Sequence, residues 1–211
     1  MTESLHVNIL PKEQKKLFDF LSSQQWLSKF YLAGGTSLAL RIGHRESVDF
    51  DFFTLDDFDT KQLIDILSGL GKFELLIEDK NTLYAMLNEV KISFFKYKYP
   101  LLKPVFKHRY FQIADVFDVG LMKLEAISGR GAKKDFIDLF FILKQFSLLE
   151  LLLNYEDKYG VAINNHYHLM KSLLYFEDAD KERTPVMFQK VKWEEVKKAI
   201  TIEVKKLAQK F

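Results

Sequence analysis

The sequence predicts an α/β (α+β) protein, in which a small mixed sheet with flanking helices is followed by a helical C-terminal half. Residues 72–97 contain three strand-like runs with polar turns between them, a pattern typical of a β-meander. Further along the chain the apolar residues recur at helical spacing. A loop-like stretch with Pro100 and Pro104 lies between the two patterns, and it separates a predicted core, residues 1–115, from a helical region, residues 116–211.

The first half of the chain alternates helices and strands. Its first helix is predicted to open at Asn8 or Leu10, with Pro11 early in it, where the missing N–H costs little. Residues 54–59 form an acidic loop, in which Asp56, Asp57 and Asp59 are better explained as a solvated loop with a helix cap than as metal ligands. The other predicted elements are strands at 29–33, 48–52, 72–78, 82–87 and 90–97 and a helix at 60–70.

The second half predicts consecutive helices. Asp118 is the expected N-cap of the first of them, which Ser128-Gly129-Arg130-Gly131 ends. Further helices are predicted at 133–146, 148–159, 165–175 and 193–209.

Composition limits the class of protein. The 211 residues include 48% hydrophobic side chains, enough for a sizeable core, and the net charge of +2 indicates no large nucleic-acid footprint. The absence of cysteine excludes disulfides and thiolate metal sites. Because no signal-like segment or long apolar run is present, we expect a cytoplasmic protein without a membrane partner.

A glycine pair is the centre of the predicted site. Gly34 and Gly35 follow the apolar run 30–33 and precede a short helical pattern, so they lie where a strand turns into a helix. Such a turn points backbone N–H groups at an anion, and the helix N-terminus adds partial positive charge. Thr36 is expected to cap this helix or to bind a phosphate oxygen.

Two aspartates follow the glycine pair on a strand-like run. Asp49 and Asp51 are two residues apart and therefore project from the same face of the strand. Adjacent carboxylates repel each other unless a cation or a proton lies between them, and a hard divalent metal such as Mg²⁺ meets that need. A phosphate-binding turn beside metal-binding carboxylates predicts a site for a nucleoside triphosphate.

Arg45 and Ser47 lie between the glycine pair and the aspartates and are further candidates for nucleotide binding. Arg45 either holds the triphosphate by charge-assisted hydrogen bonds or pairs with an acid such as Glu46 or Asp49. The residues alone leave both alternatives open.

Three segments together resemble a known family. Residues 34–53 read GGTSLALRIGHRESVDFDFF, and residues 118–143 and 175–197 match in the same order. In these blocks the chain resembles the AbiEii/AbiGii toxins, which are nucleotidyltransferases of type IV toxin–antitoxin systems, linked to abortive infection, with a DNA polymerase β-like core.

The resemblance implies a reaction and its participants. An NTP would donate its nucleotide, with Mg²⁺ or alternatively Mn²⁺ as cofactor, to an RNA such as a tRNA 3′ end or to a protein hydroxyl. A cognate antitoxin would hold the activity in check. The resemblance also assigns active-site roles to Lys123 and Asp135, for which a purely structural ion pair is the alternative.

One position departs from the superfamily pattern. A third carboxylate is expected on a later strand, but Ser93 or Lys91 occupies that place, which leaves Asp49 and Asp51 as the predicted metal ligands. The rival hypothesis is therefore a catalytically inactive nucleotide-binding regulatory or interaction module of the same fold.

Overall fold

One mixed sheet organises the first of two compact units, Met1–Asp115 and Val116–Phe211. The computed structural model describes residues 5–160 and 166–209. The strands in these residues are β1 (Tyr31–Ala33), β2 (Phe50–Thr54), β3 (Phe73–Asp79), β4 (Thr82–Leu87), β5 (Val90–Lys96), β6 (Phe106–His108) and β7 (Phe111–Ile113). They are ordered β3-β4-β5-β2-β1-β7-β6. Because β1–β7 and β2–β5 are parallel and the other pairs antiparallel, the predicted mixed sheet is confirmed.

The alternation of β2 separates a core face from a polar face. Phe50 and Phe52 are fully buried, whereas Asp51 and Phe53 on the other face are partly exposed. The ring of Phe52 stacks on Phe94 of β5, with centroids 5.0 Å apart. Burial of each such ring stabilises the fold by roughly 1.5–3 kcal/mol, so packing fixes which face the aspartate occupies.

Three α-helices accompany the sheet in the described part of this unit: α1 (Lys12–Leu21), α2 (Gly34–Ile42) and α3 (Thr60–Ser68). The first of them begins later than predicted, because Pro11 is its N-cap and a 3-10 turn occupies Val7–Ile9. The cap predicted at Asp59 is confirmed, since its carboxylate accepts the backbone N–H groups at the start of α3.

The loop predicted before the second half contains a hairpin instead. Strands β6 and β7 pair across a turn in which Arg109 has a positive φ of 54°. Prediction missed both strands because each has three residues, too few for a pattern. The parallel pairing of β7 with β1 holds the hairpin in the sheet.

The second unit is helical in the described residues. Its helices are α4 (Val116–Gly129), α5 (Lys133–Ile142), α6 (Leu148–Tyr159), α7 (His166–Ser172), α8 (Glu177–Lys181) and α9 (Trp193–Ala208). The break after α4 is confirmed, with Gly131 at a φ of 55°, as are the bounds of α6. Position 165, where a helix was predicted to begin, lies outside the described residues.

Asp118 is not the helix cap that the sequence suggested. It lies inside α4, fully buried, and accepts a 2.7 Å hydrogen bond from Lys158 Nζ on α6. A buried carboxylate requires such a partner, and the lysine comes from forty positions further along the chain.

Within the described ranges, none of the helices has the length and apolar character needed to cross a membrane.

Candidate active site

The turn from β1 into α2 has the backbone that an anion site requires. Gly34 has a φ of 72°, in the left-handed region that residues with a side chain rarely adopt. The N-cap residue of α2 is Ala33, whose methyl side chain cannot accept a hydrogen bond from the helix. The first N–H groups of a helix have no partner within the helix, so these groups can bind a ligand oxygen.

Asp51 lies directly beside this turn. Its strand β2 pairs with β1, and the register places Asp51 opposite Ala33, the residue before Gly34. A methyl group on Gly34 would lie 3.3 Å from Asp51 Oδ2. The structure therefore brings the glycine turn and the second predicted metal ligand together. Asp49 lies one residue before β2 and is also partly exposed.

Thr36 does not cap α2. Its side chain lies within the helix and is buried, and its hydroxyl donates to the backbone carbonyl of Asp49. Ser47 Oγ is 2.9 Å from the same hydroxyl. Thr36 thus ties the start of α2 to the segment that carries the aspartates, a positioning contact rather than the predicted cap.

Arg45 is buried beside the start of α2. Its Nη1 donates to the backbone carbonyl of Glu46 at 2.8 Å, so this contact involves the main chain of Glu46 and not its carboxylate. A Cβ on Gly35 would lie 2.6 Å from Arg45 Nη2 and 3.0 Å from Ser47 Oγ. The guanidinium and the Ser47 hydroxyl therefore border the glycine turn.

The close approach at Gly35 gives the first prediction. Gly35→Ala is expected to raise the KM for NTP with the fold retained, because the added methyl displaces Arg45 and Ser47 from the turn. Gly129→Ala is the matched control, since a Cβ there meets no atom within 4 Å. KM and melting temperature are measured for both variants. A Gly35→Ala protein with wild-type KM would contradict this account of the turn.

The oxygen atoms near Asp51 fit a hard divalent cation. Two carboxylates, Asp49 and Asp51, flank the start of β2, and Ser93 of β5 lies opposite Asp51 in the sheet register. Among the described residues there is no group of three His, Cys, Asp or Glu side chains that could hold a metal ion. A donor set of two carboxylates supplemented by neutral oxygens would suit Mg²⁺ bound together with phosphates.

A buried ion cluster joins α4 and α5 in the second unit. Lys123 Nζ lies 2.7 Å from Asp135 Oδ1 and 2.7 Å from Asp138 Oδ2. Arg130 Nε donates to Asp135 Oδ2 at 2.9 Å from the exposed side. Burial raises the pKa of Asp135, but Lys123 and Arg130 outweigh it and hold that pKa below its ordinary value.

The glycine turn and Asp51 lie side by side on a mixed sheet, and sequence comparison gives the family. Residues 15–100 match the model described as nucleotidyl transferase AbiEii toxin, type IV TA system. An uncharacterized protein of Aquifex aeolicus (strain VF5) is 38% identical over 204 residues, covering 93% of this chain and 96% of its own. The chain belongs to the AbiEii nucleotidyltransferase toxin family, as its motifs predicted, and is a nucleotidyltransferase.

Solved structures share the fold. JHP933 from Helicobacter pylori superposes with a TM-score of 0.57 at 18% identity, over 95% of this chain and 94% of that one. MenT4, a nucleotidyltransferase toxin from Mycobacterium tuberculosis, has a TM-score of 0.54 at 14% identity, over 92% of this chain and 84% of its own. At such identities the likeness concerns architecture alone.

Proposed function

We propose that this chain is a Mg²⁺-dependent toxin that transfers NMP from an NTP to an RNA, such as a tRNA 3′ end, or to a protein hydroxyl. A cognate antitoxin would neutralise it. The observation that carries the proposal is the close approach of Asp51 to the start of α2. Its Oδ2 lies 3.3 Å from the position that a Cβ on Gly34 would occupy. A phosphate seated on the turn would meet a carboxylate-bound cation there.

The reaction proposed is a substitution at the α-phosphorus. The acceptor hydroxyl oxygen forms a bond to that phosphorus, the bond to the bridging oxygen breaks, and pyrophosphate leaves. When bound, the metal would stabilise the negative charge on the phosphate oxygens in the transition state. Asp49 and Asp51 would hold it. The N–H groups at Gly34 and Gly35, together with Arg45 and Ser47, would orient the phosphates.

Lys123 and Asp135 are proposed to act on the same substrates. The lysine ammonium suits a phosphate as a compact charge. Asp135 has two proposed roles, positioning of Lys123 and acceptance of the hydroxyl proton. Its lowered pKa makes the carboxylate a weak base, which favours the positioning role.

The decisive experiment follows the labelled nucleotide. The protein is incubated with each α-labelled NTP, Mg²⁺ and total RNA, and the RNA, protein and free nucleotide are then separated. Label on RNA or on protein supports the transfer and identifies the acceptor. Release of nucleoside mono- or diphosphate would indicate hydrolysis instead, and binding without turnover would favour the inactive module.

Expression in a bacterial host without a partner is expected to slow growth, because the family consists of toxins. Asp51→Asn should restore growth, whereas Asp56→Asn, which changes an exposed acid of the loop before α3, should not. Growth curves at matched protein levels provide the measurement. Equal inhibition by wild type and Asp51→Asn would mean that the burden of expression, not catalysis, slows the cells.

A further inference from the structure

A serine occupies the position next to Asp51 on the neighbouring strand. β2 and β5 run parallel, and their register pairs Asp51 with Ser93. Paired residues of adjacent strands project from the same face about 4.8 Å apart, so the hydroxyl and the carboxylate are direct neighbours. Tyr84 of β4 flanks Ser93 on its other side.

The Ser93 hydroxyl has an unmet hydrogen-bonding requirement. The residue is 0% exposed, and its Oγ has no hydrogen-bond partner in the part of the chain that the structure describes. Two other buried serines are satisfied locally: Ser37 Oγ donates to the Gly34 carbonyl at 2.9 Å, and Ser22 Oγ donates to the Asp19 carbonyl at 2.9 Å. A buried hydroxyl without a partner destabilises a fold by about 1–3 kcal/mol, so its retention here requires a reason outside packing.

We infer that Ser93 Oγ provides the third protein oxygen of the cation site begun by Asp49 and Asp51, either as a ligand or through a metal-bound water. This inference rests on the proposed function. A hydroxyl is a common oxygen donor to Mg²⁺ in phosphate-handling sites. The unpartnered oxygen and the adjacent carboxylate thus complete each other once a cation is present.

The charge of the site explains why a serine suits this place. Two carboxylates carry a formal charge of −2, which one divalent cation neutralises. A third carboxylate in the same space would add repulsion that only a second cation relieves. Ser93 contributes an oxygen without charge, so the protein on its own holds a single cation, and any second one arrives with the triphosphate.

A thiol at position 93 tests this assignment directly. The chain contains no cysteine, so Ser93→Cys introduces its sole thiol. Thiolates prefer Cd²⁺ over Mg²⁺, and we expect Ser93→Cys to gain an ultraviolet cadmium–thiolate charge-transfer band that the wild type lacks. Adding Asp51→Asn to this variant should remove the band. Ser22→Cys, at the buried serine that forms the C-cap of α1, is the matched control and should show no band.

Removing the hydroxyl separates binding from stability. Ser93→Ala should weaken Mn²⁺ binding about tenfold, the lower end of the cost of losing a supporting group at a metal site, with the metal-free melting temperature unchanged or raised. Ser22→Ala should lower the metal-free melting temperature, because it loses a satisfied hydrogen bond, and should leave Mn²⁺ binding unchanged. Mn²⁺ affinity by electron paramagnetic resonance and melting temperature without metal are the two readouts, and neither depends on turnover.

Two results would overturn the inference. One is a Ser93→Cys protein without the cadmium band, and the other is a Ser93→Ala protein that binds Mn²⁺ as the wild type does. If Asp51→Asn abolishes Mn²⁺ binding in either case, the proposed function stands and Ser93 alone is misassigned. If the wild type and Asp51→Asn both fail to bind Mn²⁺, the metal-dependent function fails as well.

Discussion

Asp51→Asn is expected to abolish nucleotidyl transfer while the protein remains folded. Asparagine has the shape of aspartate, and the buried neighbours Phe50 and Phe52 are untouched. The substitution replaces the carboxylate beside Gly34 with an uncharged amide. Loss of one preorganised electrostatic group costs about 10²–10³-fold in kcat, and loss of a metal ligand should cost at least that much. Transfer of labelled NMP at limiting Mg²⁺ is the measurement.

Two further variants sharpen this experiment. Asp49→Asn should lower transfer in the same direction, and Asp56→Asn should leave it unchanged because Asp56 lies in an exposed loop. High Mg²⁺ should partly rescue Asp49→Asn and Asp51→Asn if their defect is weak metal binding. Wild-type transfer by Asp51→Asn at limiting Mg²⁺ would show that the metal ligands are misassigned.

Lys123→Met is expected to lower the stability of the protein strongly. Lys123 Nζ lies between the carboxylates of Asp135 and Asp138, which are both fully buried. Methionine at this position would remove the ammonium group that pairs with them. Removing one partner of a buried ion pair lowers the free energy of unfolding by about 3–5 kcal/mol. Chemical denaturation measures the change, with Lys134→Met, an exposed neighbour of the same sequence block, as control.

The same cluster makes stability depend on pH. The pKa of Asp135 is lower in the folded protein than its ordinary value of 3.8, because Lys123 and Arg130 outweigh the opposing effect of burial. The ionised carboxylate therefore stabilises the fold at pH values above about 4, and this contribution is lost as pH falls through the folded-state pKa. Asp135→Asn should flatten the acid limb of the unfolding curve. An unchanged acid limb would mean that other carboxylates dominate it.

Comparison of kcat with melting temperature distinguishes the two roles proposed for this cluster. If Lys123 and Asp135 serve catalysis, Lys123→Met and Asp135→Asn lose kcat at temperatures well below their melting points. If the pair is purely structural, both variants melt earlier and keep their turnover while folded. The second result would defeat the catalytic assignment.

The sequence predicted best where local patterns and the native fold agree. In the β3–β4–β5 meander, β4 alternates strictly between buried and partly exposed residues, and the turns carry Asn81 and Asn88 with positive φ values of 57° and 51°. Gly34, predicted at a strand-to-helix turn, and Gly131, predicted in a helix break, both have the left-handed backbone that favours glycine. The family motifs agreed with these elements but did not predict their backbone conformation.

Prediction failed where distant residues decide the outcome. The hairpin β6–β7 depends on the pairing of β7 with β1, about eighty positions earlier. Each of its strands has only three residues, which is too short for an alternating pattern to be recognised. Asp118 has the position of a cap, but Lys158 makes burial within α4 possible. The contact of Thr36 with the Asp49 carbonyl and the pairing of Ser93 with Asp51 likewise depend on tertiary structure, which single-residue patterns do not encode.

The place of β1 in the sheet has a consequence for the order in which the protein is synthesised. β1 pairs with β2 on one side and with β7 on the other. A ribosome releases β1 through β5 well before β7, so the strand that leads into Gly34 keeps one unpaired edge until residues 111–113 emerge. We therefore expect the glycine turn to become rigid only after more than half of the chain has been made.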